Sequence, residues 1–244
     1  MTTDPSSGMV VGGHRLPAEI MQSLDEASRA TGVDFGFLVA QASVESGFKG
    51  DIETRRSSAA GLFQFTGQTW LQMMKEHGAR YGHGDLAQRI VSLGNGRLVA
   101  EDPASEEAIL DLRRDVKLSA LFAAEFAKAN ATRLHKALGH KVGAAELHLA
   151  HLFGAHGAIR LLKAREANAA QPAAALVPAA AKRNPALFYD HGHHTPKSVA
   201  ALYRNVQARI EAPLREVARE EVNERLRPGP GLSDAPPARR SDKV

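Results

Sequence analysis

Short apolar stretches with helical spacing, each opened by a helix-capping residue and usually closed by glycine, run from about residue 17 to residue 210. This punctuation constrains the chain most, because it leaves little room for anything but packed helices. Pro17 opens a helix whose Ile20, Leu24 and Ala27 share one face, ending near Gly32. Asp34 is a capping residue for a helix from about Phe35 to Ser46, and Gly47 stands where a C-terminal cap is needed. Thr66 caps a helix carrying Trp70, Leu71, Met73 and Met74, which stops at Gly78. Asp102-Pro103 starts a short helix ending near Arg113. Asp115 starts a longer one in which Leu118, Leu121, Phe122, Phe126 and Ala129 share a face. Residues 144–162 give one or two helices interrupted around Gly154–Gly157. Thr195-Pro196 opens a last amphipathic helix with Val199, Leu202, Tyr203, Val206 and Ile210. β-Branched runs are few and alanine is abundant, which agrees with an all-α fold.

Between and beyond these helices the pattern changes. Residues 1–15 are polar and Gly-rich and read as a flexible arm, so the folded domain spans 16–212. Pro213 kinks or ends the last helix, and a charged helical extension covers 213–227. Residues 228–244, with Pro-Gly-Pro-Gly and Pro-Pro, read as a disordered tail. Residues 48–60 and 78–101 read as irregular, the second with a helical turn around 86–93. The Ala- and Pro-rich run 167–186 is either a linker or a loop wrapping the domain.

The net charge of +4 suits contact with polyanions, whether cell-wall polymer, phosphorylated surface or nucleic acid, without choosing among them. The chain has no cysteine, which excludes disulfides and thiolate metal sites. No apolar run has the length that spans a bilayer, and the first residues lack the basic-then-apolar pattern of an ordinary secretory signal.

Against this background Glu45 stands out. It falls in the last turn of an apolar helix, where the partial negative charge of the helix end disfavours a carboxylate. Phe48, Leu62 and Phe63 are near in sequence and would desolvate it. Both effects favour the neutral acid, the form a general acid needs. The plain alternative is a surface glutamate at a helix end.

The neighbouring residues favour the first view. Glu45-Ser46, then Gly61-Leu62-Phe63-Gln64-Phe65 and Thr69-Trp70, resemble the first two motifs of the soluble lytic transglycosylase catalytic domain, in order and at that family's spacing. The resemblance implies a lysozyme-like helical fold that cleaves peptidoglycan between N-acetylmuramic acid and N-acetylglucosamine. It makes Glu45 the acid that protonates the glycosidic oxygen, and then the base for the muramoyl 6-hydroxyl, which closes a 1,6-anhydro ring. No external water takes part, so no second catalytic carboxylate and no cofactor are needed. By the same resemblance Gln64 bonds sugar, while Ser46, Ser58 and Gly61 shape the cleft. Phe63, Phe65 and Trp70 are candidate sugar platforms, with core packing expected of at least two of them. The family's third motif, Ala-Tyr-Asn-Ala-Gly, is altered here to Ala150-His151-Leu152-Phe153-Gly154, with Tyr and Asn both replaced: either His151 does the Asn's work as donor to the sugar or to Glu45, or the stretch marks a divergent branch. A fourth motif places a Tyr near the catalytic Glu, for which Tyr189 and Tyr203 both qualify.

Other candidates are weaker. His148, His151 and His156 lack an acidic partner at metal-motif spacing, so no metal is expected, and His191-Gly-His-His194 reads as a polar loop. Glu125 lies on an apolar helix face and is expected to pair with an arginine at the rim. Asp51 and Glu53 would serve a water-using muramidase, the nearest enzymatic alternative. A non-catalytic peptidoglycan-binding or assembly protein is a further one. The expected partners are glycan strands, with a protein partner of the envelope on the basic C-terminal segment and no nucleic acid. The implied location is the periplasm or cell envelope.

Overall fold

The computed structural model describes residues 8–50, 59–190, 192 and 194–226. Asp51, Glu53, Ser58, His191, His193 and the tail 228–244 lie outside the described residues. Within them the protein is all-α, with two short antiparallel hairpins. Helix α1 (Ala18–Thr31) buries Ile20, Leu24 and Ala27 and ends at Gly32, whose φ of 78° lets its N–H turn back to the Ser28 carbonyl. Helix α2 (Phe35–Ser46) starts at Asp34, whose carboxylate accepts the Phe37 N–H at 2.8 Å. All residues from Gly36 to Ser43 are buried, so α2 is the core helix, with α11 (Val199–Leu226) packed along it and α1 beside it.

Helix α3 (Gly67–His77), capped by Thr66, brings in Trp70, Leu71, Met73 and Met74. It runs on into a 3-10 turn at Gly78–Tyr81 where the sequence suggested a stop. Next come α4 (Gly84–Gln88) and a hairpin of β3 (Ile90–Ser92) and β4 (Leu98–Ala100). The sequence had suggested only a helical turn there. Helix α5 (Pro103–Asp111) is capped by Asp102 and α6 (Val116–Leu138) by Asp115. The Trp70 indole donates to the Ile109 carbonyl at 2.7 Å and packs against Phe122, which ties α3, α5 and α6 together. Helix α7 (Ala144–Asn168) is interrupted at Gly154, with φ 71° and ψ 163°, inside the break expected from the glycines.

Two expectations change. Residues 10–15 are not a loose arm: β1 (Val10–Val11) and β2 (His14–Arg15) form a hairpin that buries Val11 completely. The Ser43 hydroxyl donates to the Val11 carbonyl, and the Gly12 N–H donates to the Glu216 carboxylate at 2.6 Å. The Ala- and Pro-rich run forms α8 (Ala173–Leu176), α9 (Pro178–Arg183) and α10 (Pro185–Phe188), whose small buried faces and Phe188 cover the core. Helix α11 continues through Pro213, and beyond it buried Val217, with Leu214, packs around Gly36 of α2. Tertiary packing there outweighs the backbone hydrogen bond that proline removes. None of the described helices is long and apolar enough to cross a membrane.

Candidate functional site

Glu45 sits in the last turn of α2, which stops because Gly47 adopts φ 60° and returns its N–H to the Ser43 carbonyl. Phe48 follows, also at positive φ, so the chain turns away sharply and leaves Glu45 at the helix end. The β1–β2 hairpin closes one side: a β-carbon on Gly47 would meet the His14 ring at 3.0 Å. The Glu45 and His151 side chains are mostly buried, 14% and 10% exposed, and His151 Nε2 lies 3.3 Å from Glu45 Oε1. That distance suits an ion pair when the ring is protonated. The alignment falls short of a hydrogen bond, and Oε1 is buried with no hydrogen-bond partner.

His151 is held edge-on by Phe65 and Phe126, each ring centroid 6.2 Å away. One turn earlier on α7, the His148 ring lies nearly parallel to it, 6.1 Å away at 8°. His148 is wholly buried and neither ring nitrogen has a partner. Its burial first, then the neighbouring His151 and Arg209, push its pKa down to about 3, so the ring is neutral at ordinary pH.

The second motif forms a tight turn. Ala60 and Phe65 pair through both backbone groups, at 3.2 and 3.1 Å, and Gln64 sits at φ 49°. The Gln64 side-chain amide donates to the Gly61 carbonyl at 3.0 Å, so that amide helps to hold the turn. Buried Arg113 buttresses the turn, donating to the Phe65 carbonyl at 3.4 Å and to the Leu110 carbonyl at 2.8 Å.

Most of the other expected site residues are buried. Phe63 is 0% exposed, so it has no face for a sugar and belongs to the core; Phe65 and Trp70 are buried too. Gly61 is buried against Arg113. Ser46 is buried and donates its hydroxyl to the Ala42 carbonyl. Tyr203 turns its hydroxyl to Glu146 at the start of α7, under the Arg165 guanidinium, and not to Glu45. Tyr189 is half-buried and pairs through its backbone with Pro196. Glu125 does pair with an arginine, taking hydrogen bonds from Arg80 at 2.8 Å and Tyr81 at 2.7 Å, but the carboxylate itself is buried. His156 is exposed. Among the described residues no three His, Asp or Glu side chains converge where a metal ion would be held.

His14 carries no sequence signal, because it lies in a segment that reads as loose. His148 is marked by its spacing from His151, but only as a metal candidate that lacks an acidic partner. A groove of about 720 Å³ lies at the other end of α2, lined by Val33, Phe37, Ala131, Leu147 and Leu214. It contains none of the motif residues and is distinct from the Glu45 site. No known protein family model matches the chain.

Proposed function

We propose that the protein is a peptidoglycan lytic transglycosylase on a lysozyme-like fold, with Glu45 as its acid and base. The observation that carries this reading is the contact of Glu45 with His151, two largely buried titratable side chains from segments far apart in sequence. A glutamate with only a structural role gains nothing from an unpartnered oxygen facing an imidazole, whereas catalytic sites gather such groups. The order and spacing of Glu45-Ser46, Gly61–Phe65 and Thr69-Trp70 give independent support.

The reaction follows from the chemistry of one carboxyl group. Glu45 gives its proton to the oxygen between N-acetylmuramic acid and N-acetylglucosamine, and the C1–O bond breaks with its electron pair going to that oxygen. The muramoyl 6-hydroxyl then bonds to C1 as Glu45 takes its proton, which restores the acid. His151 steadies Glu45 from the side. The site of action is the cell wall, hence the periplasm or envelope. Zymography in gels cast with purified sacculi tests the reading: wild type clears the gel and Glu45→Gln, folded and still wall-binding, does not. A wild type that binds sacculi and never clears them would make the protein a wall-binding or assembly factor.

A further inference from the structure

We propose that Glu45 and His151 work as one acid–base unit, in which the imidazole stores the proton that Glu45 delivers. This rests on the reading of Glu45 as the catalytic acid. Glu45 Oε1 is buried without a hydrogen bond, and the only titratable nitrogen within ion-pair reach of it among the described residues is His151 Nε2, 3.3 Å away. A buried carboxylate oxygen with no donor is unfavourable, and a protonated ring that turns slightly removes that penalty. A carboxyl group and an imidazole in such contact can hold one proton between them, so a proton bound there belongs to the pair.

On β2 the titratable neighbour is His14, whose ring lies beside Gly47 at the end of α2, and the other elements bring few charged groups. On α7 the neighbouring ring is His148, which burial keeps neutral, so a proton arriving at the two histidines goes to His151. On α6 and the 60–65 turn the neighbours are Phe126 and Phe65, which carry no charge. On α11 the charged group is Arg209, which acts on His148.

The step balances. The ring proton passes from Nε2 to the Glu45 carboxylate, and from the carboxyl group to the bridging oxygen as C1–O breaks. The proton of the 6-hydroxyl returns to Glu45 and from there to Nε2. His151 acts through Glu45 and is a positioning residue. Its effect is to keep a proton at hand for Glu45.

The test uses the full chain with labelled histidine rings, together with Glu45→Gln and His151→Asn, each first checked for an unchanged melting temperature. In Glu45→Gln the ring titration of His151 should move to lower pH, because the facing anion is gone. His148 should not titrate above pH 4 in either protein and serves as an internal control. In His151→Asn the alkaline limb of kcat/KM for glycan release should move toward acid, with a loss at pH 7 of roughly 10²-fold, on the scale of general acid–base catalysis. An unmoved limb, or an unmoved ring titration in Glu45→Gln, overturns the shared-proton proposal while leaving Glu45 as the acid. If wild type releases no glycan, the catalytic reading fails with its delivery step, and the ring titration still decides whether the two groups share a proton.

Discussion

Gly61 lies so close to Arg113 that a β-carbon on it would sit 1.9 Å from the Arg113 carbonyl oxygen. The contact is with backbone, which cannot swing aside as a side chain can, and Gly61 is also at φ 78°. Gly61→Ala should therefore lose at least about 2 kcal/mol of stability from overpacking and left-handed strain together. Urea unfolding measures it. A variant within about 0.5 kcal/mol of wild type, the range of an innocuous surface change, would show that the turn shifts freely away from Arg113.

Gln64 offers a finer comparison, since it holds a left-handed conformation without being glycine and bonds back to Gly61. Gln64→Ala should remain folded and lose about 0.5–1.5 kcal/mol with that hydrogen bond. Gln64→Gly loses the same bond but escapes the left-handed penalty of about 1–2 kcal/mol, so it should be the more stable of the two variants. The reverse order in thermal unfolding would mean that the backbone there is not strained.

The buried neutral ring of His148 makes stability depend on acid pH. Its folded pKa of about 3 lies below the ordinary 6.5, so between those values the unfolded chain binds a proton that the folded chain refuses. The stability this provides is complete above about pH 6.5 and is lost as the pH falls toward 3. His148→Leu should flatten the decline between pH 6.5 and pH 4 in chemical unfolding. It should be tolerated at pH 7, because neither ring nitrogen has a partner to lose. A decline identical to that of wild type would assign the acid sensitivity elsewhere.

Two tyrosines give the opposite sign at alkaline pH. Burial, with the hydrogen bond to Glu125, raises Tyr81 to about 12, and burial with the bond to Glu146 raises Tyr203 to about 12. Their contribution is complete below about pH 10 and is lost as the pH rises through about 12. The double variant Tyr81→Phe with Tyr203→Phe should be less stable than wild type at pH 8, and its stability should change less between pH 10 and 12. Absorbance titration of the phenolates checks the cause. Ionisation of both hydroxyls near pH 10 in the folded protein would contradict it.

The parts of this fold legible in the sequence are those fixed by local chemistry. Asp34, Thr66, Asp102 and Asp115 cap helices because their side chains can reach the free N–H groups of the first turn, whatever surrounds them. The break at Gly154 is legible for the same reason. What escaped depends on partners distant in sequence. Val11 looks like a residue of a loose arm until Ser43 and Glu216 are brought beneath its hairpin. Pro213 leaves a kink and a stop equally open until Val217 is seen packed near Gly36. Glu45 and the substitution at His151 could both be picked out from spacing. The contact between them could not, and neither could the burial of Phe63, which local pattern cannot separate from an exposed aromatic platform.

In the proposed reaction Glu45 transfers a proton to a glycosidic oxygen and the sugar's own 6-hydroxyl closes the ring. Mass spectrometry of the fragments released from purified peptidoglycan tests it most directly. Wild type should release 1,6-anhydromuropeptides, each lighter by one water than its hydrolytic counterpart. Glu45→Gln should release almost nothing, a loss of roughly 10²-fold or more. Reducing-end muropeptides from wild type, or undiminished release by Glu45→Gln, would contradict the account.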